Sequence, residues 1–316
     1  DQDSVPPMPI PGESGFYPGV RGTTIDYPIS TQRIEEAMMS INQRSATLEI
    51  LRLQAARPSL DLLDYMLKGI IDASPFDGLV EIYLRDLKSG QTLLFTHSKI
   101  GDEEVPPGIA YSAWSTIKIP VLAAAFEYLE EPYEAATLAE IEKMVELSDN
   151  DSTDAIARDV IERNLGPIRV TDLLQAVGLE NTFWGGYFQL GSPLLRAYKT
   201  PANERTDYFT NPDPYAQTTP QDMGMLMEEI YYCAENGGGA LPLASEGRIT
   251  QHECELMVEY LSKNKIGVLI QAGVPSGTIV AHKHGWAYEY RDGYIHTIGD
   301  AALVFTPETD YALSIF

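Results

Sequence analysis

Apolar and polar positions alternate over two stretches on either side of a short polar turn: LVEIYLRDL (Leu79 to Leu87), then KSGQ, then TLLFTH (Thr92 to His97). A period of two broken by turn residues predicts a β-hairpin. Strand-like runs return only near the end, as GTIVAHKHGWA, HTIGDAALVFTP and DYALSIF. Between them, from Ser115 to about Lys263, the residues read as helix: STIKIPVLAAAFEYLEE, AEIEKMVELS, STDAIARDVIERN, VTDLLQAVG, TPQDMGMLMEEIYYCAE and TQHECELMVEYLSKN. Two strands before a helical block and three after it predict one antiparallel five-stranded sheet assembled from both ends of the chain. Flanked by helices and joined to an all-helical subdomain at about 115–265, this is a three-layer α+β fold. A site is expected at the junction of sheet and helical block.

Upstream, residues 1–31 are rich in Pro and Gly and have no sustained period, so they read as an extended arm with no function of their own. Ile34, Met38, Ile41, Leu48, Leu51 and Leu53 predict an amphipathic helix from Arg33 to about Arg57, ended by Pro58. A second helix is expected over Leu60 to Ala73. The chain thus divides into an N-terminal arm and helix, 1–57, and a main domain, 58–316, that holds the expected site.

Composition narrows the choice of partners. With 46 acidic against 22 basic residues the net charge is -24, a field that repels nucleic acid and anionic membranes. No apolar run approaches the roughly 20 residues that span a bilayer. The sequence opens on Asp1, and a signal or anchor is taken to have been removed from a secreted or extracytoplasmic protein. The two cysteines, Cys233 and Cys254, sit late in one predicted helix and early in the next, which fits a single bridge or two buried thiols.

Three short segments could carry chemistry. Ser115-Thr116-Ile117-Lys118 opens a predicted helix, and a spacing of three puts the hydroxyl and the amine on one face. A serine attacks only if a base takes its proton, and a lysine does so only when burial or a nearby cation lowers its pKa. Taken alone the tetrad is also an ordinary helix start. Ser148-Asp149-Asn150 follows the helix AEIEKMVEL and would equally serve as a helix cap. Lys283-His284-Gly285 lies in a strand-like run, where a lysine can hold an anion and a glycine permits close approach.

In this order, STIK, SDN and KHG resemble the SxxK, SDN and KTG signature of the class A β-lactamase and penicillin-binding serine hydrolase superfamily. The resemblance runs from about Leu60 to Phe316 and includes TTP (Thr218 to Pro220) and the closing hairpin DAALVFTPETDYALSIF. It implies that Ser115 is the acylated nucleophile and Lys118 its general base, with Ser148 relaying a proton to the leaving nitrogen. Asn150, His284 and Gly285 would bind substrate, Lys283 would meet its carboxylate, and the backbone N–H groups of Ser115 and Trp286 would form the oxyanion hole. The implied partner is a β-lactam or a peptidoglycan-like peptide. On this resemblance a β-lactam is expected to acylate Ser115 and to be hydrolysed slowly; the alternatives are a D,D-peptidase or esterase, or a non-catalytic relative. No cofactor is implied. His282 and His284 flank Lys283 without further ligands at metal spacing, so no metal is expected.

The chain also departs from the pattern. His284 replaces a hydroxyl residue, the STIK-to-SDN segment is short, and the chain ends at Phe316 without the family's closing helix. The loop after SDN lacks an ExxLN motif, and counting from Thr182-Phe183 puts Gln189 near the place of the deacylating glutamate. Glu180, Glu204, Asp213 or His284 would have to supply the base instead. Tyr187, Phe188, Tyr208 and Tyr215 are expected to pack the long loop rather than to line a substrate wall.

Overall fold

The computed structural model describes residues 1–10, 16–55, 59–101, 104–289 and 292–316, and falls into two compact units, Asp1–Gly78 and Leu79–Phe316. In the first unit, strand β1 (Met8–Pro9) pairs antiparallel with β2 (Phe16–Tyr17), and β3 (Arg21–Ile25) with β4 (Ile50–Ala55). Helix α1 (Tyr27–Met39) starts at Asp26, whose carboxylate accepts the Ile29 N–H, and α2 (Leu60–Ala73) starts at Ser59 in the same way through Leu62. The helix expected from Arg33 to Arg57 is therefore corrected: it begins at Tyr27, stops at Met39, and is followed by strand β4. The reason is non-local. Thr23, Thr24 and Ile25 give Leu51 and Ile50 a β-branched partner strand, and pairing overrides a weak local helical preference. Ser30 Oγ fastens the return by accepting the Glu49 N–H at 3.0 Å. Met38 and Ile41, which seemed to continue the apolar stripe, are exposed. Arg57 and Pro58, the expected helix end, lie outside the described residues.

The second unit contains the expected sheet. Strands β5 (Leu79–Asp86) and β6 (Thr92–Ser98) form the early hairpin; β7 (Tyr111–Ser112), β8 (Phe183–Trp184) and β9 (Ala216–Thr218) make a small sheet of their own. The closing strands β10 (Ile279–Tyr288), β11 (Ile295–Phe305) and β12 (Asp310–Ile315) join the hairpin in the order β10-β11-β12-β5-β6, antiparallel throughout. Both ends of this unit thus lie side by side: Glu81 and Phe316 exchange backbone hydrogen bonds at 2.9 and 3.1 Å.

The helical block lies between. Helix α3 (Lys118–Tyr128) is apolar almost all round and buried from Lys118 to Glu127, which makes it a central helix rather than a surface one. Around it run α4 (Ala135–Glu146), α5 (Asn150–Ile156), α6 (Gly166–Val177), α7 (Pro220–Asn236), α8 (Ala240–Ala244), α9 (Gln251–Ser262) and α10 (Ile270–Gly273). Helix α7 lies directly on the sheet. A Cβ at Gly224 would come within 2.1 Å of the Tyr83 ring, so glycine sets how closely helix and strand approach.

Helices α7 and α9 are joined by a Cys233–Cys254 disulfide with a Cα–Cα separation of 5.8 Å. Closing a loop of this length removes conformational freedom from the unfolded chain worth about 3 kcal/mol in the loop-entropy model. Cys233→Ala/Cys254→Ala is accordingly expected to lower unfolding free energy by about that amount in urea titrations, with acylation unchanged. A loss under about 1 kcal/mol would mean that the bridge adds little to the packing of the two helices.

Candidate active site

Ser115 sits in a single 3-10 turn, Trp114–Ile117, that runs directly into α3. The turn is fixed from behind: Ala113 N–H donates to Ala216 of β9 at 3.0 Å, and Thr116 bonds Ala113 O through both its N–H and its hydroxyl. Trp114, just before Ser115, has φ +46°, the left-handed region that side chains avoid. Three residues on, Lys118 is fully buried, and its Nζ lies 2.9 Å from Ser115 Oγ. The same amine reaches Asn150 Oδ1 at 2.6 Å, Ser148 O at 3.1 Å and Ser148 Oγ at 3.4 Å. The first two motifs therefore converge on one nitrogen.

The SDN segment links α4 to α5, and it is also the helix cap that its composition suggested. Asp149 is the N-cap of α5 and accepts the Ser152 N–H at 2.7 Å. Capping turns the flanking residues toward Lys118, with Ser148 at φ +59°.

Strand β10 brings in the third motif. Gly285 packs on the Ser115 turn: a Cβ there would lie 2.6 Å from Ser115 N, 2.8 Å from Thr116 N and 2.9 Å from Ala113 O. Only glycine leaves the Ser115 N–H in place, and Trp286 follows it in the same strand. Lys283 is fully buried and donates to His284 O at 3.0 Å. His284 and Trp286, two apart on one face, stack with ring centroids 4.7 Å apart, and His284 Nδ1 is buried without a hydrogen-bond partner among the described residues. His282 is held by Asp300 (3.1 Å) and Gln271 (3.1 Å), a structural pairing.

Two buried amines at close quarters set the electrostatics. Burial pushes Lys118 down to about 7, the charge of Lys283 pushes the same way, and Asp149 and Asp154 pull it back up. Lys283 falls to about 8 through burial, opposed by Asp300. Burial, then Lys283, His282 and Lys118, hold His284 down to about 3, so its imidazole is neutral at physiological pH. Lys118 is thus a base available near neutrality beside a hydroxyl.

The structure adds two residues that no motif contains. Asp154, on α5, is buried and accepts the Phe188 N–H at 2.9 Å and the Gln189 N–H at 2.7 Å, so the long loop after β8 hangs from it. The Phe188 ring, 4.7 Å from Lys118 Nζ, faces the amine, while Gln189 is exposed. Counting along the sequence pointed to Gln189; the geometry puts its neighbour at Lys118. Tyr187 and Tyr215 pack the loop, bonding Arg163 O and Ser192 O. Of the candidate replacement bases, Glu204 is paired with Lys199, Glu180 is exposed, and Asp213 accepts the Tyr215 N–H while its own N–H bonds Ser112 Oγ.

Comparison with known proteins bears on this geometry. Residues 132–316 match the model of a family described as "Beta-lactamase enzyme family". A comparison with curated proteins by sequence finds no match. Among solved structures, a variant of PBP-A, described as an acyl-enzyme complex with penicillin G, is 20% identical with a TM-score of 0.51, over 80% of this chain and 86% of that one. The TLA-3 extended-spectrum β-lactamase is 15% identical with a TM-score of 0.56, over 81% and 90%. A β-lactamase from Xanthomonas campestris pv. campestris gives 15% and 0.56, over 81% and 88%. At these identities the solved structures speak for the fold.

Proposed function

The chain belongs to the β-lactamase enzyme family, a family of serine hydrolases, and from that premise we propose that it is acylated at Ser115 by β-lactams and releases the product slowly. The observation that carries this reading is the buried Lys118 amine, 2.9 Å from Ser115 Oγ and held by Asn150 and Ser148. Lys118 Nζ takes the proton of Ser115 as Oγ bonds to the lactam carbonyl carbon. The resulting oxyanion lies toward the backbone N–H groups of Ser115 and Trp286, next to the start of α3, whose dipole favours negative charge. As the C–N bond breaks, the proton passes from Lys118 through Ser148 Oγ to the leaving nitrogen. Lys283 attracts the substrate carboxylate, and Asn150 and His284 border the space its side chain occupies. A non-catalytic role fits poorly with a lysine buried beside a serine, since burying an amine is costly and here serves no ion pair among the described residues.

A second reading, a D,D-peptidase of the penicillin-binding type, is favoured by one feature: an aromatic ring, and not a carboxylate, faces Lys118. Work outside the cytoplasm agrees with the Cys233–Cys254 bridge, which persists in oxidising compartments. Protein from its own cells that carries two free thiols would count against that location.

The test is covalent labelling. Incubation with penicillin G, followed by intact mass and peptide mapping, should put one adduct on the peptide containing Ser115 and none on Ser115→Ala. An adduct elsewhere, or none at all, overturns the assignment. Release of D-alanine from a D-Ala-D-Ala peptide, compared with turnover of a chromogenic cephalosporin, then separates the two readings.

A further inference from the structure

We infer that Phe188 is a positioning residue for this reaction: its ring is the lid that seals the Lys118 amine from water beside Ser115. The inference rests on the roles proposed for Ser115 and Lys118 and adds a residue outside the three motifs.

The amine has few directions left to satisfy. As a free base, Nζ has two hydrogens and one lone pair. Asn150 Oδ1 (2.6 Å) and Ser148 O (3.1 Å) receive the hydrogens, and the lone pair faces the Ser115 hydroxyl at 2.9 Å. No water is needed to complete this arrangement, and the Phe188 ring at 4.7 Å covers the amine where solvent would otherwise reach it. The lid is held rigidly. Phe188 and Gln189 give their N–H groups to the two carboxylate oxygens of buried Asp154, and the ring is backed at 5.7 Å by Trp184, itself buried. Such charge-assisted bonds in dry surroundings are strong, so the loop is anchored at the residue whose side chain meets the lysine.

A ring over an amine has two opposite effects. Its face attracts a cation and so favours the ammonium form; its bulk excludes water and so favours the free amine. The charged or titratable groups around Lys118 are Lys283 and His284 from β10, Asp149 from the SDN loop and Asp154 from α5. Lys118 has no exposed surface and is pushed down to about 7 by burial, to which the ring contributes; in the role of a lid this contribution outweighs the pull of the ring face.

The experiment compares wild type, Phe188→Ala and Phe188→Leu. Leucine keeps the apolar cover and removes the ring face; alanine uncovers the amine. Two readouts are followed against pH: the Lys118 side-chain resonance by NMR in the free protein, and the single-turnover rate of acylation by a chromogenic cephalosporin. In wild type both should have a midpoint near 7. In Phe188→Ala both midpoints should rise by about one unit, which lowers acylation at pH 7 roughly 5-fold, and about 10-fold at pH 6 and below, but leaves the high-pH plateau within about 3-fold. In Phe188→Leu the midpoint should stay within about half a unit of wild type. An unmoved midpoint in Phe188→Ala, or a loss equal at every pH, overturns the proposal and reveals a merely structural residue. A midpoint that falls in Phe188→Leu also overturns it, since the ring would then be holding a cation. Because the NMR titration needs no substrate, it decides the role of Phe188 even if β-lactams fail to acylate Ser115, in which case the functional reading alone falls.

Discussion

Replacement of Lys118 by methionine is expected to slow acylation of Ser115 about 10²- to 10⁴-fold, the usual worth of a positioned general base. Methionine nearly matches the volume of the buried side chain, so the loss should be chemical. It leaves Asn150 Oδ1 and Ser148 O without their donor, at about 1–3 kcal/mol in stability, which a cooperative unfolding curve will register separately. The pH dependence has a definite sign. With Lys118 pushed down to about 7, the free base accumulates as pH rises, so acylation of the parent protein should climb through neutrality and level off above it. Lys118→Met should lack that limb. A stopped-flow rate within about 10-fold of the parent would mean that the Ser115 proton leaves by another route.

Once formed, the acyl-enzyme should persist. Hydrolysis of the ester needs a base that activates water, and its absence typically costs 10²- to 10⁴-fold, or about 3 to 5 kcal/mol of barrier. Asp154, which anchors the loop from α5, already accepts two backbone N–H groups, and Glu204 is engaged by Lys199. Gln189 is a neutral amide, and His284, held down to about 3, is a weak base. A chromogenic cephalosporin should therefore give a stoichiometric burst followed by slow turnover, with the adduct visible by mass. Phe188→Glu places a carboxylate at the position that now holds the ring. It should shorten the adduct's lifetime, although its charge will also raise the Lys118 pKa and slow acylation near neutrality. Linear progress in the parent protein with no trapped adduct would show that a deacylating base already exists.

What the sequence could reveal depended on how local each arrangement is. Ser115 and Lys118 are three apart on one helical face, and Asp149 is a cap read from its neighbours, so both were legible. That KHG comes to lie against Ser115 is a long-range fact, visible only because three motifs in order resemble a known family. Gly285 shows why the glycine belongs there: its missing Cβ is the space that Ser115 N occupies. Strand β4 was misread as helix because its partner β3 lies a whole helix away in the chain. Phe188 escaped because counting through an irregular loop fails by a single position, and a single position turns a side chain from the lysine to solvent. Asp154 offered a missed signal. It follows Asn150 by four residues on α5, hence shares its face, and a buried acid there was bound to hold something.

Trp114 precedes Ser115, Ser148 contacts Lys118, and both have positive φ. For a residue with a side chain that conformation costs about 1–2 kcal/mol, and glycine would adopt it freely. Glycine there would relieve the backbone but take away an indole beside Ser115 or the Ser148 hydroxyl near Lys118, so at both positions the side chain is kept against the preference of the backbone.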